Sequence, residues 1–300
     1  MYKLGQFIVN RLPLSFAYRF ATFFSDLHYF MSFRDRRSVK NNLKVIFPEK
    51  DNAAISAMAR KVFRNFGKYL VDFFRMANQI DKEFIAKRVK VHHLEYLQGA
   101  LRRGKGVILL TAHIGNWELG GVFVSLLGYP FTAIALPHKE RPVNELFNKQ
   151  RESKGLTVVP INQAIRRCLE VLKNNGVIAL VADRVFTGNG KVMDFLGKKT
   201  LIPKGAAVFA CRTGAPIVPT FCFREEGDTY SLNFLEPINP PVIVDGQVEE
   251  GMLLNVIQQY TRVLEEQIRQ HPTQWLMFRP FWLPLSSAAS ISSSEEDLPI

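Results

Sequence analysis

The sequence predicts an α/β fold, with a mixed, largely parallel central sheet flanked by helices and an amphipathic helical segment at the N-terminus. Two patterns support this class. From about residue 105, short apolar runs alternate with longer segments of helical periodicity, which is typical of strand–helix–strand units. Before that point, apolar residues recur every three or four positions over residues 53–77, which indicates a long amphipathic helix.

The individual elements follow from these two periods. Aliphatic runs of five to eight residues are assigned as strands, and the longer segments between them as helices. The predicted strands are 106–112, 131–136, 156–160, 176–182, 216–223 and 229–235. The predicted helices after residue 105 are 117–127, 142–153, 162–174, 204–213 and 249–270.

Residues 1–50 are predicted to be the amphipathic segment and to associate with a membrane. Residues 4–33 are rich in phenylalanine, but Arg11 and Arg19 interrupt the apolar stretch and Pro13 breaks any helix early. No uncharged run of about 18 residues occurs, so a membrane-spanning helix is not supported. A basic cluster follows at Arg34, Arg36, Arg37, Lys40 and Lys44. An apolar face beside a basic edge fits an interfacial helix, and packing of that face on the protein's own core fits equally well.

Composition limits the class of protein. With 300 residues and 47% apolar content, the chain can bury a full core. Residues 51–285 are predicted to form one α/β domain, followed by a serine-rich, acidic and disordered tail at 286–300. The cysteines, Cys168, Cys211 and Cys222, do not suggest a disulfide framework and favour a reducing compartment. Neither HExxH nor GxSxG occurs, so the commonest metallohydrolase and serine-hydrolase signatures are absent.

The formal net charge of +12 predicts a surface that attracts polyanions. Nucleic acid, anionic lipid headgroups, phosphorylated substrates and an acidic carrier protein all meet that description. The 24 phenylalanines favour lipid, because phenylalanine is prominent in the N-terminal segment that would lie at a surface. We therefore expect a membrane surface as a partner, and no nucleic acid.

The most informative motif follows the first predicted strand and reads His113-Ile114-Gly115-Asn116-Trp117-Glu118. Residues five apart point about 140° apart on a helix and to opposite faces on a strand, so His113 and Glu118 cannot meet on a regular element. Gly115-Asn116 is turn chemistry, which predicts a strand, a turn and then a helix whose Glu118 reaches back to the imidazole. A carboxylate-oriented histidine is a general base for a hydroxyl. A structural histidine beside an apolar run is the alternative.

The ordered series of motifs resembles the late acyltransferases of lipid A biosynthesis, of the lauroyl and myristoyl type, and the related phosphatidylinositol mannoside acyltransferases. A His-x4-Glu or His-x4-Asp motif after an apolar strand is the signature of these and of the glycerolipid acyltransferases. The resemblance runs from roughly residue 35 to 283. Besides the histidine motif, it rests on Asn41-Asn42-Leu43, Ala182-Asp183-Arg184 and the segments 192–197, 202–207, 212–219 and 274–280.

This resemblance implies a glycerolipid acyltransferase-like fold for residues 51–285 and a specific reaction. A fatty acyl chain would pass from an acyl-carrier-protein thioester to a hydroxyl of a lipid A precursor, an anionic glycolipid, with His113 as base and Glu118 orienting it. No metal or other cofactor is required. The enzyme would be peripheral or monotopic at the cytoplasmic face of a bacterial inner membrane. Two alternatives remain: an acyl-CoA-dependent glycolipid or lysophospholipid acyltransferase, and an inactive membrane-peripheral binding protein on the same scaffold.

Four further residues are expected to bind substrate. Asp183 and Arg184 follow an apolar strand, where open α/β sheets place ligands, although a salt bridge at a loop entry is the simpler reading. Arg151 resembles the arginine of the family's Asn-x2-Arg-x3-Gly element and would suit a phosphate or an acyl carbonyl; capping a helix C-terminus is the alternative. Asn116 lies inside the histidine motif.

A group of lysines, Lys198, Lys199 and Lys204, is the candidate docking site for the donor or for the acceptor's headgroup. Their positive charge suits an anionic headgroup or an acidic carrier protein. A solvated basic edge is the default for such a group.

Overall fold

The computed structural model describes residues 2–135, 140–160, 163–185, 190–241 and 249–283. The predicted disordered tail at 286–300 lies outside these residues. The helices are α1 (Tyr2–Arg11), α2 (Leu14–Met31), α3 (Phe33–Ile46), α4 (Asn52–Gln79), α5 (Lys82–Arg88), α6 (Leu94–Leu101), α7 (Trp117–Leu126), α8 (Arg141–Glu152), α9 (Ala164–Lys173), α10 (Gly205–Thr213) and α11 (Glu250–Gln270). The strands are β1 (Val89–His92), β2 (Val107–Thr111), β3 (Phe131–Ala135), β4 (Thr157–Pro160), β5 (Val177–Val181), β6 (Gly190–Phe195), β7 (Lys198–Pro203), β8 (Ile217–Arg224) and β9 (Tyr230–Phe234).

The central sheet has seven strands in the order β1-β9-β8-β2-β5-β3-β4. Neighbouring strands are parallel except β8 and β9, which are antiparallel. The remaining pair, β6 and β7, forms an antiparallel hairpin outside this sheet. The α/β class with a mixed, largely parallel sheet is therefore confirmed.

Helices cover both faces of the sheet, and the alternation of side chains along β2 shows how. Ile108 and Leu110 join an apolar cluster with residues of α9, α10 and α11. Val107 and Leu109 join a second cluster, with residues of α1, α2 and α4 to α7. Because successive side chains of a strand point to opposite faces, β2 is buried on both sides, as its almost uninterrupted aliphatic sequence requires.

The predicted elements after residue 105 all have counterparts. The six predicted strands correspond to β2, β3, β4, β5, β8 and β9, and the five predicted helices to α7 through α11. The long helix predicted over residues 53–77 is α4, whose start is fixed by Asp51, because its carboxylate accepts a hydrogen bond from the Ala54 N–H at 2.7 Å. The short elements α5, α6 and β1 and the β6–β7 hairpin were not predicted.

The N-terminal region consists of three helices, with Pro13 between the first two. Helix α2 buries Ala17, Tyr18, Ser25 and Tyr29, and α1 to α3 pack along α4. The opposite surface of these helices is apolar and exposed, at Phe7, Phe16, Phe20, Phe23, Phe24, Leu27, Phe30, Met31 and Phe33. Over the part of the chain that the structure describes, no helix has both the length and the apolar character needed to cross a bilayer.

Candidate active site

The register between β2 and β5 determines which residues meet at the end of the sheet. The two strands are adjacent and parallel, with Thr111 opposite Val181. His113 and Asp183 each follow two residues later, so they leave the sheet side by side at its carboxyl edge. Open α/β sheets bind ligands at this edge.

The buried carboxylate of Asp183 accepts hydrogen bonds from three N–H donors. Its carboxylate accepts hydrogen bonds from the imidazole Nδ1 of His113 at 2.6 Å, from the His113 backbone N–H at 3.1 Å and from the indole Nε1 of Trp275 at 3.1 Å. Burial would raise the pKa of Asp183, but the contacts with His113, Arg184 and Trp275 lower it to about 2. The carboxylate is therefore ionised at neutral pH although its side chain is inaccessible to solvent.

This arrangement fixes the tautomer of His113. An ionised carboxylate only accepts hydrogen bonds, so Nδ1 must carry a proton and Nε2 must present its lone pair when the imidazole is neutral. The His113 side chain is 15% exposed, which leaves a path from the outside to the ring. An oriented imidazole with a lone pair on Nε2 can accept a proton from a bound hydroxyl.

The expected contact between His113 and Glu118 is not the one found. Glu118 lies in the first turn of α7, and its carboxylate is bound by the guanidinium of Arg151 at the end of α8, with Nε–Oε2 at 2.9 Å and Nη2–Oε1 at 2.6 Å. The imidazole instead contacts Asp183, which follows the neighbouring strand β5 and lies beside His113 because of the β2–β5 register. A hydrogen-bonded pair, His113–Asp183, and an ion pair, Glu118–Arg151, therefore replace the single pair that the sequence predicted.

The Glu118–Arg151 pair is nearly buried and lies beside aromatic rings. Burial would lower the pKa of Arg151, but the Glu118 carboxylate raises it above its ordinary value. Tyr69, which is buried near this pair, stacks on Trp117 with ring centroids 4.6 Å apart. Trp117 in turn meets the His113 ring edge-on at 5.0 Å. Trp117 therefore packs between Tyr69 and the imidazole, and it forms one wall around the His113 ring.

A segment near the end of the described chain braces the histidine turn. Leu276 donates its backbone N–H to the His113 carbonyl at 2.8 Å, and Gly115 donates to the carbonyl of Gln274 at 2.9 Å. Arg184 donates from Nη2 to the carbonyl of Leu276 at 2.8 Å. Residues 274–276, called the brace below, therefore hold both the turn after β2 and the arginine after β5.

Asn116 is buried, and both of its polar side-chain atoms are used within the protein. Oδ1 accepts from the backbone N–H of Leu119 at 3.1 Å and so caps α7. Nδ2 donates to Asp72 on α4 at 2.8 Å. These contacts favour a positioning role for Asn116 over the substrate contact expected from the sequence.

The three candidate docking lysines lie outside this cluster. Lys198 and Lys199 begin β7 and are exposed, and Lys204 directly precedes α10. The hairpin that carries the first two is connected to the site by aromatic contacts, since Phe281 packs on Phe195 at 5.1 Å and on Trp275 at 4.9 Å.

Three important residues were missed by sequence reasoning: Asp72, Tyr69 and Trp275. Asp72 did carry a signal, because it is a carboxylate inside the otherwise apolar run Leu70 to Phe74, and such a charge is retained in a core only with partners. Nothing in the local sequence distinguishes Tyr69 from an ordinary core aromatic. Trp275 lies in a segment that was included in the resemblance, but no role had been assigned to it.

Comparison with known proteins identifies the family of the chain. A family model described as bacterial lipid A biosynthesis acyltransferase matches residues 1–284, which is nearly the whole chain. The chain belongs to this family. Like other members of the lipid A biosynthesis acyltransferase family, it is an O-acyltransferase, and it acts on a lipid substrate.

Individual members of the family show moderate similarity. A phosphatidylinositol mannoside acyltransferase of Mycobacterium tuberculosis is 28% identical over 288 residues, covering 94% of this chain and 87% of that protein. The enzyme of the same description from Mycolicibacterium smegmatis is 28% identical over 230 residues, covering 75% of this chain and 72% of that protein. A lipid A biosynthesis acyltransferase of Haemophilus influenzae is 22% identical over 189 residues, covering 63% of this chain and 59% of that protein.

The histidine turn depends on glycine at position 115, and this can be tested. Gly115 has φ +62°, and a Cβ there would overlap the carbonyl oxygen of Cys222. We expect Gly115→Ala to destabilise the fold by at least about 2–3 kcal/mol, from strain plus the clash. Gly197→Ala is the matched control, because φ is +85° but nothing lies within 4 Å of the new methyl group; it should cost about 1 kcal/mol. Chemical denaturation measures both, and equal losses would contradict the close approach.

Proposed function

We propose that the protein transfers a fatty acyl chain from a thioester donor to a hydroxyl of a glycolipid, with His113 as the general base. The observation that carries this proposal is the 2.6 Å hydrogen bond from Nδ1 of His113 to the buried carboxylate of Asp183. It orients the ring and keeps the lone pair on Nε2, as a base for a hydroxyl requires. The His113 side chain is also 15% exposed, so a substrate can approach it.

The reaction then proceeds by direct transfer. Nε2 of His113 takes the proton of the acceptor hydroxyl while its oxygen bonds to the thioester carbonyl carbon. The tetrahedral intermediate collapses, the carbon–sulfur bond breaks, and the thiolate takes the proton back from the imidazolium. The products are an ester and a thiol, so atoms and charge balance without a covalent enzyme intermediate. A thiolate leaves readily because its conjugate acid has a pKa of about 8.5.

Arg151 and Arg184 supply the positive charge near the reaction. Glu118 engages Nε and Nη2 of Arg151, so Nη1 is the nitrogen outside that pair. Arg184 is held by the brace and follows Asp183 directly. We assign both arginines to the substrate, where a guanidinium stabilises an acyl oxyanion or a headgroup phosphate. Glu118 acts through Arg151, whose orientation it fixes.

The acceptor is an anionic glycolipid. A lipid A precursor fits the family, whereas the two mycobacterial relatives act on phosphatidylinositol mannosides by name and match more of the chain. The second acceptor is therefore a specific alternative, supported by 28% identity over 94% of this chain against 22% over 63% for the Haemophilus influenzae relative. In both cases the reacting group is a hydroxyl on an anionic lipid, which agrees with the net charge of +12.

The donor is an acyl carrier protein, with acyl-CoA as the alternative. Lys198 and Lys199 are exposed on the hairpin that contacts the brace through Phe281. An acidic carrier protein docked on these lysines and on Lys204 would be steered to the catalytic side of the molecule. A small donor such as acyl-CoA would make fewer contacts with this surface.

The N-terminal segment attaches the enzyme to the cytoplasmic face of the bacterial inner membrane. Nine large apolar side chains are exposed on α1 to α3, whereas Ile165 is the single further one among the residues that the structure describes. Arg11 and Arg19 lie over the rings of Phe7 and Phe16, so basic groups border the apolar surface. This combination binds anionic bilayers peripherally. The three buried, unpaired cysteines agree with a reducing compartment.

The base assignment predicts a strict order of effects on turnover. We expect His113→Gln to lower kcat at least about 10³-fold and Asp183→Asn about 10²–10³-fold, because the first removes the base and the second its orientation. Glu118→Gln should cost less, since Glu118 acts through Arg151. Mass spectrometry of lipid products, with acyl-carrier-protein and acyl-CoA donors on both acceptors, measures this. His92→Gln, at an exposed histidine of β1, is the control. More than a tenth of wild-type turnover in His113→Gln would exclude this base.

Charge reversal on the hairpin tests donor docking. Lys198→Glu combined with Lys199→Glu should raise KM for an acyl-carrier-protein donor about tenfold and leave kcat nearly unchanged, because docking precedes chemistry. With acyl-CoA the effect should be smaller. Lys82→Glu combined with Lys90→Glu is the control, since both lysines are exposed and the charge changes equally. An equal loss of activity with both donors would place the hairpin lysines at the acceptor headgroup. Unchanged kinetics with both donors would mean that these lysines bind neither substrate.

Membrane attachment is tested on exposed phenylalanines. Phe16→Ser combined with Phe23→Ser should weaken binding to phosphatidylglycerol vesicles at least tenfold, because each buried ring contributes about 1.5–3 kcal/mol. Ile165→Ser removes an equally exposed apolar residue from α9 and should leave binding unchanged. Vesicle co-sedimentation measures both. Complete release of the wild type at about 0.5 M salt would contradict an apolar contribution, because salt screens charge contacts and not apolar burial.

A further inference from the structure

A second buried carboxylate lies behind the histidine turn. Asp72 on α4 is only 3% exposed, and it accepts hydrogen bonds on both oxygens. Oδ1 accepts from the Tyr18 hydroxyl at 2.5 Å, and Oδ2 accepts from Asn116 at 2.8 Å and from Nη2 of Arg224. A buried carboxylate with this many donors is fixed in one position, because moving it would leave charge or donors unpaired.

Asn116 connects this carboxylate to the catalytic turn. It lies three residues after His113, between the glycine of the turn and the first residue of α7. Its backbone N–H donates to the carbonyl of Cys222 at 2.7 Å, so strand β8 holds it on a further side. Through its side chain, Asp72 therefore restrains the segment that carries both His113 and Glu118.

Arg224 closes the same network around the brace. Its guanidinium binds Asp72 and donates to the Tyr18 hydroxyl at 3.0 Å. Its backbone N–H and carbonyl are both bonded to the side-chain amide of Gln274 at 3.0 Å, and the Gln274 carbonyl accepts from Gly115. Arg224 therefore supports the turn by two routes: through Asp72 to Asn116, and through Gln274 to Gly115.

Tyr18 extends the network to the N-terminal helices. It is buried on α2 between Phe16 and Phe20, whose rings are exposed. Burial raises the pKa of Tyr18, so its hydroxyl keeps the proton that it donates to Asp72. One helix thus presents phenylalanines outward and a hydrogen-bond donor inward, two contacts away from the catalytic turn.

We propose that Asp72 is a positioning residue for His113, acting through Asn116, and that Tyr18 makes this positioning depend on the seating of helix α2. The inference rests on the acyl transfer proposed above. A displacement of about 1 Å in a reacting group can lower turnover about 10²-fold, so a carboxylate that touches no substrate still affects the rate. The phenylalanine surface of α2 would then influence catalysis as well as attachment.

Two variants break the links one at a time without leaving a buried charge unpaired. Asn116→Ser keeps the cap of α7, because serine caps helices about as well as asparagine, but loses the hydrogen bond to Asp72. Tyr18→Phe removes one donor, while Arg224 and Asn116 stay on the carboxylate. Tyr29→Phe is the matched control, since Tyr29 is also buried on α2 and its hydroxyl bonds only to the Ser56 carbonyl among the described residues.

The expected kinetic result is a lower kcat with an almost unchanged KM. Asn116→Ser should lower kcat about tenfold or more, and Tyr18→Phe about threefold, with KM for both substrates within about twofold and melting temperatures close to wild type. Tyr29→Phe should match the wild type. A higher KM for the acceptor in Asn116→Ser would mean that Asn116 contacts the substrate directly, and it would overturn the proposal. So would a Tyr18→Phe enzyme that cannot be distinguished from Tyr29→Phe.

A spectroscopic measurement separates this proposal from the proposed function. The proton between Nδ1 of His113 and Asp183 should give a low-field imidazole resonance in ¹⁵N-edited spectra, identified by its loss in His113→Gln. In Asn116→Ser that resonance should shift or broaden. If the wild type transferred no acyl chain but the resonance still responded, the positioning would hold and the acyltransfer assignment would fail. An unchanged resonance in Asn116→Ser would overturn the positioning.

Discussion

The hydrogen bonds to the Asp183 carboxylate are the interaction on which the site depends. A carboxylate without solvent access must be satisfied from within the protein, and here an imidazole, a backbone amide and an indole do so. The donors come from two distant segments of the chain: His113, in the turn after β2, supplies both the amide and the ring, and Trp275 in the brace supplies the indole. If any donor moved away, the buried carboxylate would lose a hydrogen bond that it cannot recover from solvent. The contacts that stabilise the fold here therefore also orient the imidazole.

The same principle operates three times along the edge of the sheet. Asp183 pairs with His113, Glu118 with Arg151 and Asp72 with Arg224. Buried pairs of this kind add little net stability compared with apolar residues, but breaking one is costly. They therefore act as fixed points. In this molecule they bring together the segments that follow β2 and β5, the end of β8, the first turn of α7, the end of α8 and the body of α4, where the chemistry requires defined distances.

Local sequence patterns were sufficient for most of the fold and for the location of the site, but not for its pairings. The aliphatic runs of β2 and β5 and the periodicity of α4 are strong because those elements are fully or half buried. The four-residue β1 and the β6–β7 hairpin have no comparable pattern. The Gly115-Asn116 turn and the His-x4-Glu spacing predict Glu118 as the partner of His113. The actual partner, Asp183, is 70 residues away in sequence and lies beside His113 only because β2 and β5 pair in a particular register. The spacing of residues along the chain does not reveal how two strands pair.

The brace has a consequence for how the enzyme matures. Residues 274–276 come from the end of the described chain, yet they bind to a turn formed by residues 113–115. Contacts between segments so distant in sequence close late, because the loop entropy must be overcome first. A chain with its sheet assembled but its last segment undocked would lack the indole donor to Asp183, and its imidazole would not be oriented. Newly made enzyme would therefore gain its oriented imidazole only once the brace has docked, and cleavage of the chain just after α11 would remove that orientation while the strands stay paired.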